Sequence, residues 1–191
     1  VSASAADYQS AAEDLSAIGM FRGTVNGGFE LDRAPKRSEA AIMLVRLYGA
    51  EEEAAAAYQS GEISHPFKDV GPIASPYVAW LYTKGITKGA TATTFNSNAA
   101  CTDKNYVVFL LRALGYSSVT NTDLSDTLDR AVSAGLINNK ESAALAKVSF
   151  LRAELVYLSF RSLDATVSGT MDTLSDTLIA KGVFTSAEAR E

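Results

Sequence analysis

The strongest constraint on this chain is that it repeats itself. Gly19-Met20-Phe21-Arg22-Gly23 leads through Phe29 to Lys36-Arg37-Ser38-Glu39 and closes on Leu44-Val45-Arg46-Leu47-Tyr48-Gly49. Gly85-Ile86-Thr87-Lys88-Gly89 leads through Phe95 to Thr102-Asp103-Lys104-Asn105 and closes on Leu111-Arg112-Ala113-Leu114-Gly115. Gly19 to Arg37 and Gly85 to Asp103 both span 18 residues, and Glu39 to Gly49 and Asn105 to Gly115 both span 10. A third copy is more divergent: Gly135-Leu136-Ile137 leads after 17 residues to Arg152-Ala153-Glu154, and Glu154 stands 10 before Asp164. A partial fourth trails over 174–184. A unit of about 50 residues buries too little apolar surface to be stable alone, so the copies are expected to pack on one another.

Each copy reads as helix, glycine-punctuated loop, helix. Tyr8, Ala11, Leu15 and Ile18 recur at spacings of three and four, and Gly19 follows where a helix-ending residue of positive φ belongs. Ala40, Met43, Leu44, Leu47 and Tyr48 repeat the pattern before Gly49. In the second copy Val78, Leu81 and Tyr82 precede Gly85, and Val107, Leu110, Leu111 and Leu114 precede Gly115. Period-two alternation is nearly absent. The expected fold is all-α, with six to nine short helices and brief extended pieces around 24–31 and 93–96. The stretch 51–64, opening on Glu51-Glu52-Glu53 and an alanine run, favours an added helix that stops at Gly61. Segment 117–122 is short and polar and reads as a second join. These joins divide the chain into 1–63, 64–118 and 119–191, three units expected to behave as one.

Composition removes several kinds of function. One cysteine, Cys101, allows no internal disulfide, and one histidine, His65, leaves no clustered His/Cys metal site and no triad needing a second histidine. No cofactor is expected. With 17 Lys and Arg against 22 Asp and Glu, the net charge is −5, which disfavours a general nucleic-acid binder. The longest apolar runs, 40–45 and 106–111, hold six residues each, against about 20 for a helix that crosses a bilayer, so no membrane insertion is expected. The start, Val1-Ser2-Ala3-Ser4-Ala5-Ala6, is small and polar, as a chain looks after removal of a secretory signal.

The stretch His65-Pro66-Phe67-Lys68-Asp69-Val70, then Ser75-Pro76-Tyr77-Val78-Ala79-Trp80-Leu81-Tyr82-Thr83-Lys84-Gly85-Ile86-Thr87-Lys88-Gly89, with Phe95 and Leu111-Arg112-Ala113-Leu114-Gly115, resembles an S-layer homology (SLH) module of bacterial surface proteins. The first copy resembles the family nearly as well from 17 to 49, and the third in Phe150-Leu151-Arg152-Ala153-Glu154 and the helix after it. The resemblance implies three tandem modules packed as a pseudo-three-fold helical unit. It also implies noncovalent binding of an anionic cell-wall polysaccharide, often one bearing pyruvate ketals, by a secreted protein in the wall or surface layer.

The family hallmark is a Thr-Arg-Ala-Glu run that opens the second helix of each module. Threonine followed three residues later by glutamate is a capping box. The arginine between them is unfavourable for the helix alone, because a cation near the positive end of the dipole costs about 0.3–1 kcal/mol. An acid group from outside would reverse that sign, since amides, dipole and guanidinium would all attract it. Each copy here departs from the run. The first has Lys36 for threonine but keeps Arg37 and Glu39; the second keeps Thr102 but has Asp103 and Asn105; the third has Leu151 but keeps Arg152 and Glu154. Lys36, Arg37, Arg22 and Arg33 make the first copy the most cationic, so the principal groove is expected beside it, while Asp103 would repel a carboxylate in the second.

The candidate glycan contacts are Arg37 and Arg152 for acid groups, Gly23 and Gly89 for backbone amides, Lys36, Arg22 and Lys104 for longer-range attraction, and Trp80 for stacking on a sugar ring. Each has a plainer reading. The arginines are also compatible with pairing to acids of a neighbouring copy, and Trp80 shares its helical spacing with Tyr77, Leu81 and Tyr82, as a core residue does. Asn139 stands at the third copy's loop-glycine position. His65 reads as a loop or cap residue, Cys101 as a small buried filler, and Glu51-Glu52-Glu53 as a solvated first turn lacking calcium-loop spacing. No nucleotide-binding, nucleophile-elbow or metal-helix motif points to an enzyme. The rival to glycan binding is a structural or protein-docking role among surface-layer neighbours.

Overall fold

The computed structural model describes residues 4–24, 28–116 and 126–188. Among them the chain is all-α: α1 (Ala5–Ala17), α2 (Arg37–Leu47), α3 (Glu51–Ser60), α4 (Ser75–Thr83), α5 (Asp103–Ala113), α6 (Thr127–Ser133), α7 (Asn139–Leu145), α8 (Arg152–Ser162) and α9 (Leu174–Ala180). None of these helices is long and apolar enough to cross a membrane.

Local chemistry sets the boundaries. Ser4 and Asp7 close a reciprocal capping box on α1. Gly19, Gly49, Gly85 and Gly115, the glycines read as helix stops, all have positive φ. The helix expected over 51–64 runs over Glu51–Ser60 and ends at Gly61 in the left-handed conformation, at φ 79°. No strand forms around 93–96 or the described part of 24–31; the extended pairing consists of two isolated bridges, Lys36 with Ala100 and Thr166 with Thr173. The join at 117–122 lies outside the described residues.

The core runs through α5. Its run 106–111 is buried all round, which makes α5 an interior helix with no solvent face along that stretch. Tyr106, fully buried, needs a partner for its hydroxyl and finds it in Ser159 Oγ on α8 at 2.6 Å. Around it, α1 packs on α8, α2 and α3 on α4, and α5 on α6 and α8. The third copy differs from the others in one respect. Where they carry a loop it carries α7, capped by Asn138, whose side chain accepts the amides of Lys140 and Glu141.

Candidate functional site

The starts of α2 and α8 are built alike. The Arg37 and Ser38 amides donate to the carbonyls of Ala99 (2.9 Å) and Ser97 (3.1 Å), and Arg37 Nε donates to the carbonyl of Phe95 (2.8 Å). The Arg152 and Ala153 amides donate to the carbonyls of Arg33 (2.8 Å) and Leu31 (3.0 Å), and Arg152 Nε to that of Phe29 (3.0 Å). Phe95, Ser97 and Ala99 correspond to Phe29, Leu31 and Arg33 by the same chain offset that relates Gly85 to Gly19. Each helix start is therefore seated on the loop of another copy, through three equivalent bonds. The guanidiniums also lie over aromatic rings, Arg37 at 4.9 Å from Phe95 and 5.6 Å from Phe109, and Arg152 at 5.4 Å from Phe21.

This arrangement answers the question raised by an arginine at a helix start. A hydrogen bond from a charged donor is worth about 1.5–3 kcal/mol and a ring contact about 0.5–2, against a dipole cost of about 0.3–1. The internal contacts outweigh the penalty without any external anion. Arg37 is 7% exposed, with its remaining contact at 3.3 Å to Asn105 Oδ1, and burial pulls its pKa below the ordinary value. Against the expectation that Arg37 reaches out to a polymer, its guanidinium is turned inward, with Nε and Nη1 donating between copies to Phe95 and Asn105.

The capping boxes are split in a complementary way. Glu39 accepts the Lys36 amide at 2.7 Å and Glu154 the Leu151 amide at 2.8 Å, the acid half alone. At α5, Thr102 accepts the Asn105 amide at 3.2 Å, the hydroxyl half alone, and the Asn105 side chain is turned to Arg37.

Beside the start of α8 and the flank of α2 opens a cleft of about 410 Å³. Arg22, Arg33, Arg46 and Arg152 line it, together with Gly23, Thr24, Glu30 and Glu39. Arg33 is held by both carboxylates, through Glu39 at 2.6 and 3.0 Å and Glu30 at 2.9 Å. Burial alone would raise the Glu39 carboxyl, but Arg33 and the Lys36 amide outweigh it and hold Glu39 below its usual range. Arg152, its side chain 8% exposed, lies 3.6 Å from Glu39 at the inner wall. Four guanidiniums and two carboxylates line the cleft, and a third carboxylate, Glu51, pairs with Arg22 and Arg46 from outside the lining. Gly23 belongs there for a steric reason: a Cβ would lie 2.7 Å from the Gly28 carbonyl oxygen.

Other candidates lie elsewhere. Gly89 is not an open backbone donor: its amide bonds Thr87 Oγ1 at 3.1 Å, and a Cβ would lie 2.3 Å from the Phe67 ring, so packing explains the glycine. Trp80 is packed like a core residue, with one edge on a hollow of about 470 Å³ between α3 and α4. It is 7% exposed, its indole N–H donates to Glu53 at 3.1 Å, Lys84 lies over the ring and Tyr48 beside it. Lys36, which caps α2, and Lys104, in the first turn of α5, are not among the residues lining the cleft. His65 staples its loop, Nδ1 accepting the Phe67 amide and Nε2 paired with Ser75 Oγ. Cys101 is buried, and that burial pushes its thiol up to about 12.

The third copy forms a different hollow, about 270 Å³, walled by Tyr8, Tyr157, Glu141 and Glu154 among apolar side chains. Sequence reasoning also passed over Glu51. It is no solvated acid: it bridges Arg22 (3.0 Å) and Arg46 (2.9 Å) and accepts the Tyr77 hydroxyl. Nothing local in the sequence signals this, since two of its partners come from segments remote in the chain.

Residues 66–102 match the family model described as the S-layer homology domain. That match covers α4 and the loop that seats α2, and ends at Thr102, the cap of α5. No curated protein matches the chain. The resemblance seen in the second copy and the all-α architecture converge on that segment: residues 66–102 are similar to the SLH domain, a family whose domains generally anchor surface proteins to the cell envelope by binding wall polymers.

Proposed function

We propose that this chain holds a secreted surface protein on the cell wall by binding an acidic, pyruvate-bearing polysaccharide in the cleft beside α2 and α8. The observation that carries the reading is the cleft's lining, four arginines to two glutamates around an opening large enough for a sugar ring. Arg22 offers the most accessible charge, with its side chain 61% exposed. Arg46 and Arg152 form deeper walls, and the side-chain-free Gly23 lets a ligand approach the backbone. The chain would work as three copies, 1–63, 64–118 and 119–191, in a pseudo-three-fold unit. The paired seats of α2 and α8 support that organisation, because each copy involved in a seat would lose it if separated.

The test is binding of a pyruvylated methyl hexoside, with its uncharged methyl ester as control, alongside sedimentation with purified acidic wall polysaccharide. The parent should bind the acid form and not the ester, more weakly as ionic strength rises. Arg22→Ala should weaken binding by roughly three- to tenfold at an unchanged melting temperature. A folded parent that ignores both acid glycoside and polymer overturns the reading and favours protein docking instead.

A further inference from the structure

Two of the cleft's arginines are already paired with an acid group that stands outside its lining. Glu51, in the first turn of α3, places Oε1 at 3.0 Å from Arg46 Nε and 2.9 Å from Arg46 Nη2, and Oε2 at 3.0 Å from Arg22 Nη2. Tyr77 donates its hydroxyl to Oε1 as well. Two guanidiniums and a phenol around one carboxylate form the set of donors that an incoming acid would seek. These contacts win over desolvation: burial would raise the Glu51 carboxyl, but the bonds from Tyr77 and Arg46 and the two positive charges hold it low, so it stays ionised.

We propose that Glu51 is a resident counter-anion for two of the cleft's arginines, and that an acidic ligand entering the cleft binds by exchange, taking Arg22 from it. The two sides of the bridge are unequal in a way that makes exchange feasible. Arg46 is 21% exposed and lies over the Tyr77 ring at 5.8 Å, whereas Arg22 is 61% exposed. An exposed ion pair is worth about fivefold in an equilibrium constant at most, so Arg22 can leave at little cost while Arg46 stays with Glu51. α3 thus sets the affinity of the cleft. A neutral sugar cannot displace Glu51, and a weakly acidic one gains only the difference between two carboxylates competing for one arginine.

This inference rests on the cleft being the polymer site, and the experiment separates the two. Binding of the pyruvylated methyl hexoside is measured by calorimetry for the parent, Glu51→Gln, Arg22→Ala and the double variant, with melting temperatures recorded. Gln keeps the shape and an acceptor for Tyr77, so the fold should be retained. Glu51→Gln is expected to bind roughly three- to fivefold tighter, and Arg22→Ala to cost more in the Gln background than in the parent. A packing role for Glu51 would not produce that coupling. Equal or weaker binding by folded Glu51→Gln, or additive effects in the double variant, overturns the exchange while leaving the cleft as the site. Absence of binding by both parent and Glu51→Gln overturns the cleft reading itself.

Discussion

At the start of α2 an arginine is sunk into the molecule and tied to a carbonyl 58 residues further along; at the equivalent place on α5 stands an aspartate with a threonine cap. At α2 the arginine is accounted for by what lies opposite. α2 and α8 each meet a loop whose carbonyls are free to accept, 95–99 and 29–33 respectively. At α5 the helix start is served locally, the Thr102 hydroxyl accepting the Asn105 amide. An arginine needs an acceptor to offset the dipole penalty. Without one, a negative side chain is the better choice at a helix start, and Asp103 supplies it.

The comparison is most easily broken at Arg37. Arg37→Ala leaves the Phe95 carbonyl without its charged donor and opens a void between two rings, and should cost about 3 kcal/mol in urea unfolding. Arg37→Lys should recover less than half of that, because an ammonium lacks the planar fork that spans a carbonyl and a ring. Arg152→Ala should cost about 2 kcal/mol by the same measurement, since its ion pair with Glu39 faces the cleft and is partly solvated. If either costs no more than a change at Asp103, the seats are not structural.

A smaller effect is expected at the loop that receives α2. Asp69 accepts the amides of Phe95, Asn96 and Ser97 at 2.7, 2.6 and 3.2 Å, fixing the carbonyls that Arg37 and Ser38 use. Asp69→Asn should cost about 1 kcal/mol, as loss of an acidic cap does. Burial alone would raise the Asp69 carboxyl, but the three amides outweigh it and set its folded pKa below the unfolded value. Its contribution is therefore present above the ordinary aspartate range and lost as pH falls through the depressed folded pKa. Unfolding midpoints between about pH 5 and 2 should show a shallower acid decline in Asp69→Asn than in the parent. The smallest effect belongs to α5, where Asp103→Ala should stay within about 0.5 kcal/mol in urea unfolding.

Much of the fold was legible because it rests on local signals. Apolar spacing and glycine stops located α1, α2, α4 and α5, and the acidic-alanine run located α3. α7 was missed although Asn138 three residues before Glu141 is a cap signature; the repeat suggested a loop there, and the shorter-range cue was the better guide. The site was legible in residue type and not in direction. The motif singled out Arg37 and Arg152 correctly as unusual, but which way a guanidinium turns depends on an acceptor far along the chain. Arg22, Gly23 and Arg152 do line the cleft; Glu51 escaped because its partners Arg22 and Tyr77 are brought together only by packing.

One contact ties remote parts of the chain together. α1 lies along α8, with Tyr8 edge-on to Tyr157 at 5.7 Å and Ala11, Ala12 and Leu15 shut away from water. The two helices shield each other from water. Trimming α1 would therefore strip α8 of that cover, so the first helix described and a helix about 140 residues further along stand or fall together.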